Sequence, residues 1–168
     1  MLKKRLALHS SRQYNTPLEI VESRNKNLLV PILHDADEDD VRIASAIVDM
    51  ANISYAAYIG DECVGAAMMH WQLDESEILY IAIRAADRGK GYGRELIAAI
   101  VNMARERSTQ ALVVGTASTS VDNILFYQKC GFRMDSVRKD FFNYKPTPVY
   151  EHGIQLRDMV MLRYELGG

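Results

Sequence analysis

The sequence has few cysteines, no long apolar run and no strong excess of either charge. Its two cysteines, Cys63 and Cys130, are too few for a disulfide framework and fall on different predicted elements. No apolar run approaches the ~20 residues that cross a bilayer, so we expect no membrane partner. The segment 1–13 begins like a secretion signal but turns polar at His9, and we therefore expect a cytoplasmic protein.

Charge and histidine spacing exclude two further classes of partner. The net charge is −2 and the pI is about 6.1, so a broad nucleic-acid-binding surface is not expected. The histidines are scattered without the spacing of metal ligands, and we predict no metal site. At 168 residues with 48% hydrophobic residues, the chain is most simply one domain spanning residues 1–168.

The most informative segment is a glycine-rich stretch from Arg88 to Arg94, reading Arg-Gly-Lys-Gly-Tyr-Gly-Arg. An apolar strand, 77–83, precedes it. A helix follows it, with one apolar face formed by Leu96, Ile97, Ile100, Val101 and Ala104. Such a turn leaves backbone N–H groups unpaired at the positive end of a helix, where they attract an anion such as a diphosphate. Arg88, Lys90 and Arg94 add positive charge at the same place.

Three phosphate-binding motifs compete for this loop. A Walker loop requires Ser or Thr after its lysine, which Lys90 lacks. A dinucleotide loop requires a different glycine spacing and an acidic residue ending a second strand, and neither is present. The remaining pattern, Arg-x-x-Gly-x-Gly at Arg88, Gly91 and Gly93, resembles the acetyl-CoA diphosphate loop of the GNAT superfamily of N-acyltransferases. The block 123–132 also resembles that superfamily's following helix and Gly-Phe turn.

The resemblance covers residues 53–137 and implies acetyl-CoA as cosubstrate. Within the family, the strand before the loop splays from its neighbour, and its backbone binds the pantetheine arm. The N–H of Ile81 should then polarise the thioester carbonyl, and Asn123 should bond near the pantetheine unless it only caps its helix. The cofactor-binding residues implied in this way are Ile81, Ala82, Ile83, Arg88, Gly89, Lys90, Gly91, Tyr92, Gly93, Arg94 and Asn123.

The order of predicted elements indicates an α/β (α+β) fold. A hairpin of strands is followed by strand, helix, strand, helix and strand, which implies a mixed, mainly antiparallel sheet with helices on both faces. This is the fold that the GNAT resemblance implies. A helix predicted over 37–49 should bury Val41, Ala44, Ile47 and Val48, and the irregular link 143–155 is a candidate lid.

The chemistry of acetyl transfer requires a base for the amine and a proton donor for the leaving thiolate. By resemblance to the corresponding strand of histone-acetylating relatives, Glu77 is the predicted base, with Glu75 and Asp74 as substitutes. Tyr127 is the predicted acid, because the second motif places it where the family's tyrosine reaches the CoA sulfur. The alternatives are a solvated strand-end glutamate and a core tyrosine beside Phe126.

The expected activity is N-acetylation of a primary amine of a small molecule or peptide by direct attack in a ternary complex. A non-catalytic acyl-CoA-binding sensor or interaction module is the alternative from another class. The acidic run 35–40 either attracts a cationic acceptor or is simply a solvated helix start. The family resemblance also suggests a homodimer.

Overall fold

Residues 16–167, the part of the chain that a computed structural model describes, form an alternating series of strands and helices. The segment 1–13, used above to argue for a cytoplasmic protein, lies outside this range. Short 3-10 helices span Ala85–Asp87 and Phe141–Tyr144. In chain order the elements are β1 (Leu18–Glu22), α1 (Lys26–Leu33), α2 (Asp40–Val48), β2 (Asn52–Ile59), β3 (Glu62–His70), β4 (Glu75–Ile83), α3 (Tyr92–Glu106), β5 (Ala111–Ala117), α4 (Val121–Lys129), β6 (Arg133–Arg138), β7 (Tyr150–Glu151), β8 (Ile154–Gln155) and β9 (Met159–Glu165).

Seven of the strands form one mixed sheet in the order β1-β2-β3-β4-β5-β9-β6. The β4–β5 pair is parallel and every other pair in the sheet is antiparallel. This confirms the predicted fold class. The parallel pair lies in the middle of the sheet, because α3 carries the chain back from the end of β4 to the start of β5.

Helices cover both faces of the sheet. On one face, α3 contributes the apolar stripe that the sequence predicts, with Leu96, Ile97, Ile100, Val101 and Ala104 all buried. α4 adds Tyr127 to the same core. On the other face, α1 and α2 bury Leu29, Leu33, Ile43 and Ile47 against β2 and β3.

The predicted buried side of α2 was right at Ile47 and wrong at Val41 and Val48. Val41 and Val48 are 77% and 52% exposed, whereas Ile43 and Ile47 are fully buried. The helix begins at Asp40 rather than Asp37, with Asp39 as its N-cap. Most positions of this short helix are apolar, so apolar spacing alone does not select the stripe that faces the sheet.

The segment 139–158 connects β6 to β9 and contacts two other parts of the protein. The guanidinium of Arg42, in α2, lies 4.6 Å from the centre of the Tyr144 ring. Farther along the segment, Glu151 accepts hydrogen bonds from Thr119 at 2.6 Å and Ser120 at 2.8 Å, just before α4. The irregular link 143–155 therefore contacts the rest of the protein near each of its ends. Its role as a lid stays a prediction. Within residues 16–167, no helix combines the length and apolarity needed to span a membrane.

Candidate active site

The glycine-rich loop forms the turn between β4 and α3. Gly89 and Gly91 have φ angles of +76° and +95°, in the left-handed region that L side chains rarely adopt. Gly91 is the N-cap of α3. A Cβ atom added at Gly93 would lie 3.4 Å from the ring of Phe126, so the third glycine lets α4 approach the start of α3 closely.

Consecutive backbone amides of this loop have no acceptor. The N–H groups of Arg94 and Glu95 bond back to the Gly91 carbonyl at 3.0 and 3.2 Å. Those of Gly89, Lys90, Gly91, Tyr92 and Gly93 donate to no group in the described part of the chain. They gather at the N-terminus of a 15-residue helix, where the helix dipole favours negative charge. The loop is therefore suited to an anion.

Two of the loop's three cations are already paired with carboxylates. Arg88 donates to Asp35, which precedes α2, and to the Ile83 carbonyl at 3.0 Å. Lys90 bonds Asp87 at 2.8 Å, and Arg84 bonds the other oxygen of Asp87 at 2.6 Å. The two cations, Lys90 first, hold the pKa of Asp87 below its usual range. Arg88 and Lys90 thus hold the loop against neighbouring parts of the protein. That they also bind the cosubstrate stays a prediction.

A gap between β4 and β5 begins beside the loop. The two strands pair only from Glu75↔Ala111 to Ile78↔Val114, although β4 continues to Ile83 and β5 to Ala117. On its other edge β4 stays paired with β3 as far as Ile83, with an irregularity at Leu79. The end of β4 therefore has one free edge.

The N–H and C=O groups of Ile81 and Ile83 point into this gap. The N–H of Arg84 donates to Val64 in β3 at 2.8 Å, so residue 84 faces β3. Successive residues of a strand turn their backbone polar groups to opposite edges, so residues 81 and 83 face away from β3 and residue 82 faces it. The prediction that Ile81–Ile83 offer backbone groups therefore applies to Ile81 and Ile83, whereas the N–H of Ala82 points to β3.

Tyr127 projects from α4 into the core on the α3 side of the sheet. Its side chain is 7% exposed, with edge-to-face contacts to Phe126 and Phe132 at ring-centre distances of 5.3 and 5.8 Å. Its hydroxyl donates to no group among residues 16–167. Burial raises the pKa of Tyr127 well above its ordinary value, so the hydroxyl keeps its proton throughout the neutral range.

Asn123 is the third residue of α4, so the alternative that it caps this helix is wrong; the N-cap is Ser120. The Asn123 side-chain amide donates to the Thr116 hydroxyl at 3.3 Å, on the part of β5 beyond its pairing with β4. Asn123 thus lies beside the gap, consistent with its predicted place near the pantetheine arm.

Glu77 lies on the opposite face of the sheet from Tyr127. Its neighbour Ile78 packs in the α3-side core, so Glu77 points to the α1–α2 side. Its side chain is 27% exposed, and Arg138 donates to its Oε1 at 3.2 Å. The other carboxylate oxygen, Oε2, has no partner within residues 16–167. The predicted base and the predicted acid therefore lie on opposite faces of the sheet, with Glu77 just before the gap begins.

Comparison with known proteins identifies the family. Residues 19–132 match the model of the Acetyltransferase (GNAT) family. The chain is 33% identical over 114 residues to YvbK of Bacillus subtilis, an uncharacterized N-acetyltransferase, in a match covering 67% of this chain and 74% of that protein. The chain belongs to the GNAT family of acetyltransferases.

Solved structures of other GNAT enzymes agree with this assignment. A GNAT acetyltransferase from Elizabethkingia anophelis with acetyl-CoA bound is 28% identical with a TM-score of 0.81, over 89% of this chain and 98% of that one. A Bacillus subtilis acetyltransferase in complex with CoA is 30% identical with a TM-score of 0.79, at the same coverage. Acetyl-CoA is the cosubstrate of this enzyme. The free amides and the β4–β5 gap fit a ligand with a diphosphate followed by an extended arm.

Most acidic side chains of the run 35–40 already have partners within this GNAT domain. Asp35 pairs with Arg88, Asp37 with Arg42, and Asp40 with His34, while Asp39 caps α2. These partners support the helix-start explanation over attraction of a cationic acceptor. In the described range, no three His, Cys, Asp or Glu side chains are placed to hold a metal ion.

Two contacts near the site escaped the sequence analysis. Arg138 reaches Glu77 across 61 residues of sequence, and Asp35 reaches Arg88 across 53. Neither pair has a local spacing signal, because each joins segments that only the tertiary fold brings together.

Proposed function

We propose that this enzyme transfers the acetyl group of acetyl-CoA to a primary amine of a small molecule or peptide by direct attack in a ternary complex. The observation that carries the proposal is the position of Glu77 and Tyr127 on opposite faces of the sheet. Glu77 lies just before the β4–β5 gap begins, and the unpaired amides of residues 89–93 follow the other end of β4. Amine and thioester can then meet in the gap from opposite sides.

Glu77 accepts the proton of the amine, directly or through water. An alkylammonium has a pKa near ~10 and must lose a proton before its nitrogen can attack. The free Oε2 of Glu77 supports this role, because it can accept that proton while Oε1 stays bonded to Arg138. The ammonium proton moves to Glu77 before attack. As the N–C bond forms and the C–S bond breaks, the nitrogen loses a second proton, which offsets the proton that the sulfur receives.

Tyr127 donates its hydroxyl proton toward the departing sulfur. The hydroxyl of this buried side chain has no hydrogen-bond partner among residues 16–167 to compete with the sulfur, and the raised pKa keeps it protonated at neutral pH. On the carbonyl side, the N–H of Ile81 stabilises the negative charge that develops on oxygen. The orientation of this N–H into the gap supports its role.

Steady-state kinetics of Tyr127→Phe and Glu77→Gln test the assignment. With saturating acetyl-CoA and the best acceptor from a panel of primary amines, each variant should lose on the order of 10²–10⁴-fold in kcat. CoA affinity should stay unchanged in calorimetry, because neither change touches the loop. Release of CoA is followed with a thiol reagent.

Tyr55→Phe is the matched control. Tyr55 is 5% exposed in the same core, but its hydroxyl accepts a hydrogen bond from Trp71 at 3.1 Å. Its loss should cost stability and leave kcat unchanged. Full activity in both Tyr127→Phe and Glu77→Gln would overturn the mechanism. A protein that binds acetyl-CoA but acetylates no amine would support the sensor alternative.

The identity of the acceptor belongs to the same proposal. A thermal-shift screen of amines in the presence of acetyl-CoA, followed by mass measurement of the acetylated product, would identify it. The cytoplasmic location and the homodimer expected from the sequence stay predictions. Size-exclusion chromatography with light scattering tests the second of these.

A further inference from the structure

A groove of roughly 260 Å³ runs along α3, between this helix and the C-terminal end of α4. Its α3 side is one stripe of residues that begins in the first turn of the helix. Its other side consists of the end of α4 and the ring of Tyr164 from β9. Among the residues that line it are Arg94, Ile97, Val101, Arg105, Lys129 and Tyr164.

The charged residues that line this groove are all cations. Arg105 donates only to neutral groups, the Tyr164 hydroxyl at 3.3 Å and the Asn102 amide oxygen at 3.2 Å. Arg94 and Lys129 form no ion pair with any of residues 16–167. The groove thus differs from the adjacent loop, where Arg88 and Lys90 are both paired with carboxylates. Unpaired positive charge on this side of the protein is available to a ligand.

Arg94, which lines one end of the groove, lies in the first turn of α3 directly after the free amides of residues 89–93. On the α4 side, the ring of Phe126 lies 3.4 Å from where a Cβ atom of residue 93 would be, and Lys129 is one helical turn farther along α4. A ligand whose diphosphate occupies the amides therefore places its next groups within reach of Arg94 and Lys129. In CoA, that next group is a ribose that carries a phosphate monoester on its 3′ oxygen.

We propose that Lys129, together with Arg94, binds the 3′-phosphate of CoA and makes the enzyme prefer CoA over 3′-dephospho-CoA. The proposal rests on the placement of the diphosphate at residues 89–93. Arg94 follows the loop directly and can contact either phosphate group, whereas Lys129, at the end of α4 across the groove from α3, contacts the 3′-phosphate alone. Lys129 is therefore the residue that distinguishes the two ligands.

Calorimetric titration of the full chain with CoA and with 3′-dephospho-CoA tests the proposal. The wild type should bind CoA about ten-fold or more tightly than 3′-dephospho-CoA, since hydrogen bonds to charged groups are strong. Lys129→Ala should weaken CoA binding by about the same factor and leave 3′-dephospho-CoA binding unchanged. Lys129→Arg should retain the preference. Lys26→Ala, which removes an exposed lysine from α1 on the other face of the sheet, is the charge control and should change neither affinity.

Equal binding of the two ligands by the wild-type protein would overturn the 3′-phosphate site and leave the diphosphate site standing. A Lys129→Ala variant that weakens both ligands equally would also overturn it, because the lysine would then act on a shared part of the molecule. Failure of both ligands to bind the wild type would contradict the diphosphate placement and this proposal together. A thermal melt of Lys129→Ala and Lys129→Arg confirms that α4 is intact in each.

Discussion

Gly91→Val perturbs the loop at the point where its backbone is most restricted. Gly91 has φ of +95°, and a Cβ atom added there would meet no other atom within 4 Å. The cost of the substitution is therefore backbone strain rather than a clash. For an L residue the left-handed region costs roughly 1–2 kcal/mol, and a β-branched side chain is especially unfavourable there.

The loop relieves this strain by rotating the peptide groups beside residue 91. That rotation changes the direction of the N–H groups of Gly91 and Tyr92, which have no acceptor in the described part of the chain. A hydrogen bond to a charged group contributes about 1.5–3 kcal/mol, so the loss of one such bond to the diphosphate weakens CoA binding by about 10–100-fold. We expect that change in the dissociation constant for Gly91→Val.

Gly60→Val is the matched control for this experiment. Gly60 sits in the β2–β3 turn with φ of +58° and also has open space around its Cβ position. Both variants should lose similar stability in denaturant unfolding, whereas only Gly91→Val should lose CoA affinity in calorimetry. Equal CoA affinity in the two folded variants would refute the assignment of the diphosphate to this loop.

Two further predictions concern stability. Lys90 and Arg84 lower the pKa of the Asp87 carboxyl in the folded protein. The stability that the ionised Asp87 adds to the folded state is therefore fully present above the unfolded-state pKa of about 3.9, and it is lost as the pH falls through the folded-state pKa. The difference in unfolding free energy between wild type and Asp87→Asn should therefore shrink as the pH is lowered from neutrality toward the folded-state pKa of Asp87. A difference that does not change with pH would contradict the pairing of Asp87 with Lys90 and Arg84. Gly65→Ala should destabilise the protein by about 1–3 kcal/mol, because overpacking in a core is costly. The new Cβ would lie 3.0 Å from the Ala82 carbonyl and 2.6 Å from the tip of Ile83, and an unchanged melting temperature would show that β4 can move aside.

The parts of the fold with strong local signals were predictable from the sequence. α3 has a clear apolar stripe flanked by polar positions, and its buried residues were all predicted. The turn at Gly131 follows from its position just after α4, where a left-handed residue ends the helix, and its φ is +98°. In α2 the apolar residues surround the helix, so tertiary packing rather than periodicity decides which of them are buried.

The candidate site was predictable where its chemistry belongs to the backbone. A glycine-rich turn between a strand and a helix specifies unpaired amides at one place in the chain, whatever the distant residues do. The side-chain partners were not predictable in the same way. The pairing of Arg88 with Asp35, which lies between α1 and α2, has no local signal in the sequence. The partner of Glu77, likewise, comes from β6 at the far edge of the sheet.

Glycine-selective ¹⁵N labelling tests the central claim most directly, because the sequence has only 10 glycines and three of them form the loop. On titration with CoA, the amide signals of Gly89, Gly91 and Gly93 should move substantially. The signals of Gly60 and Gly153, in two distant turns, should stay in place. Saturation with CoA that leaves the three loop signals unmoved would show that the diphosphate binds elsewhere.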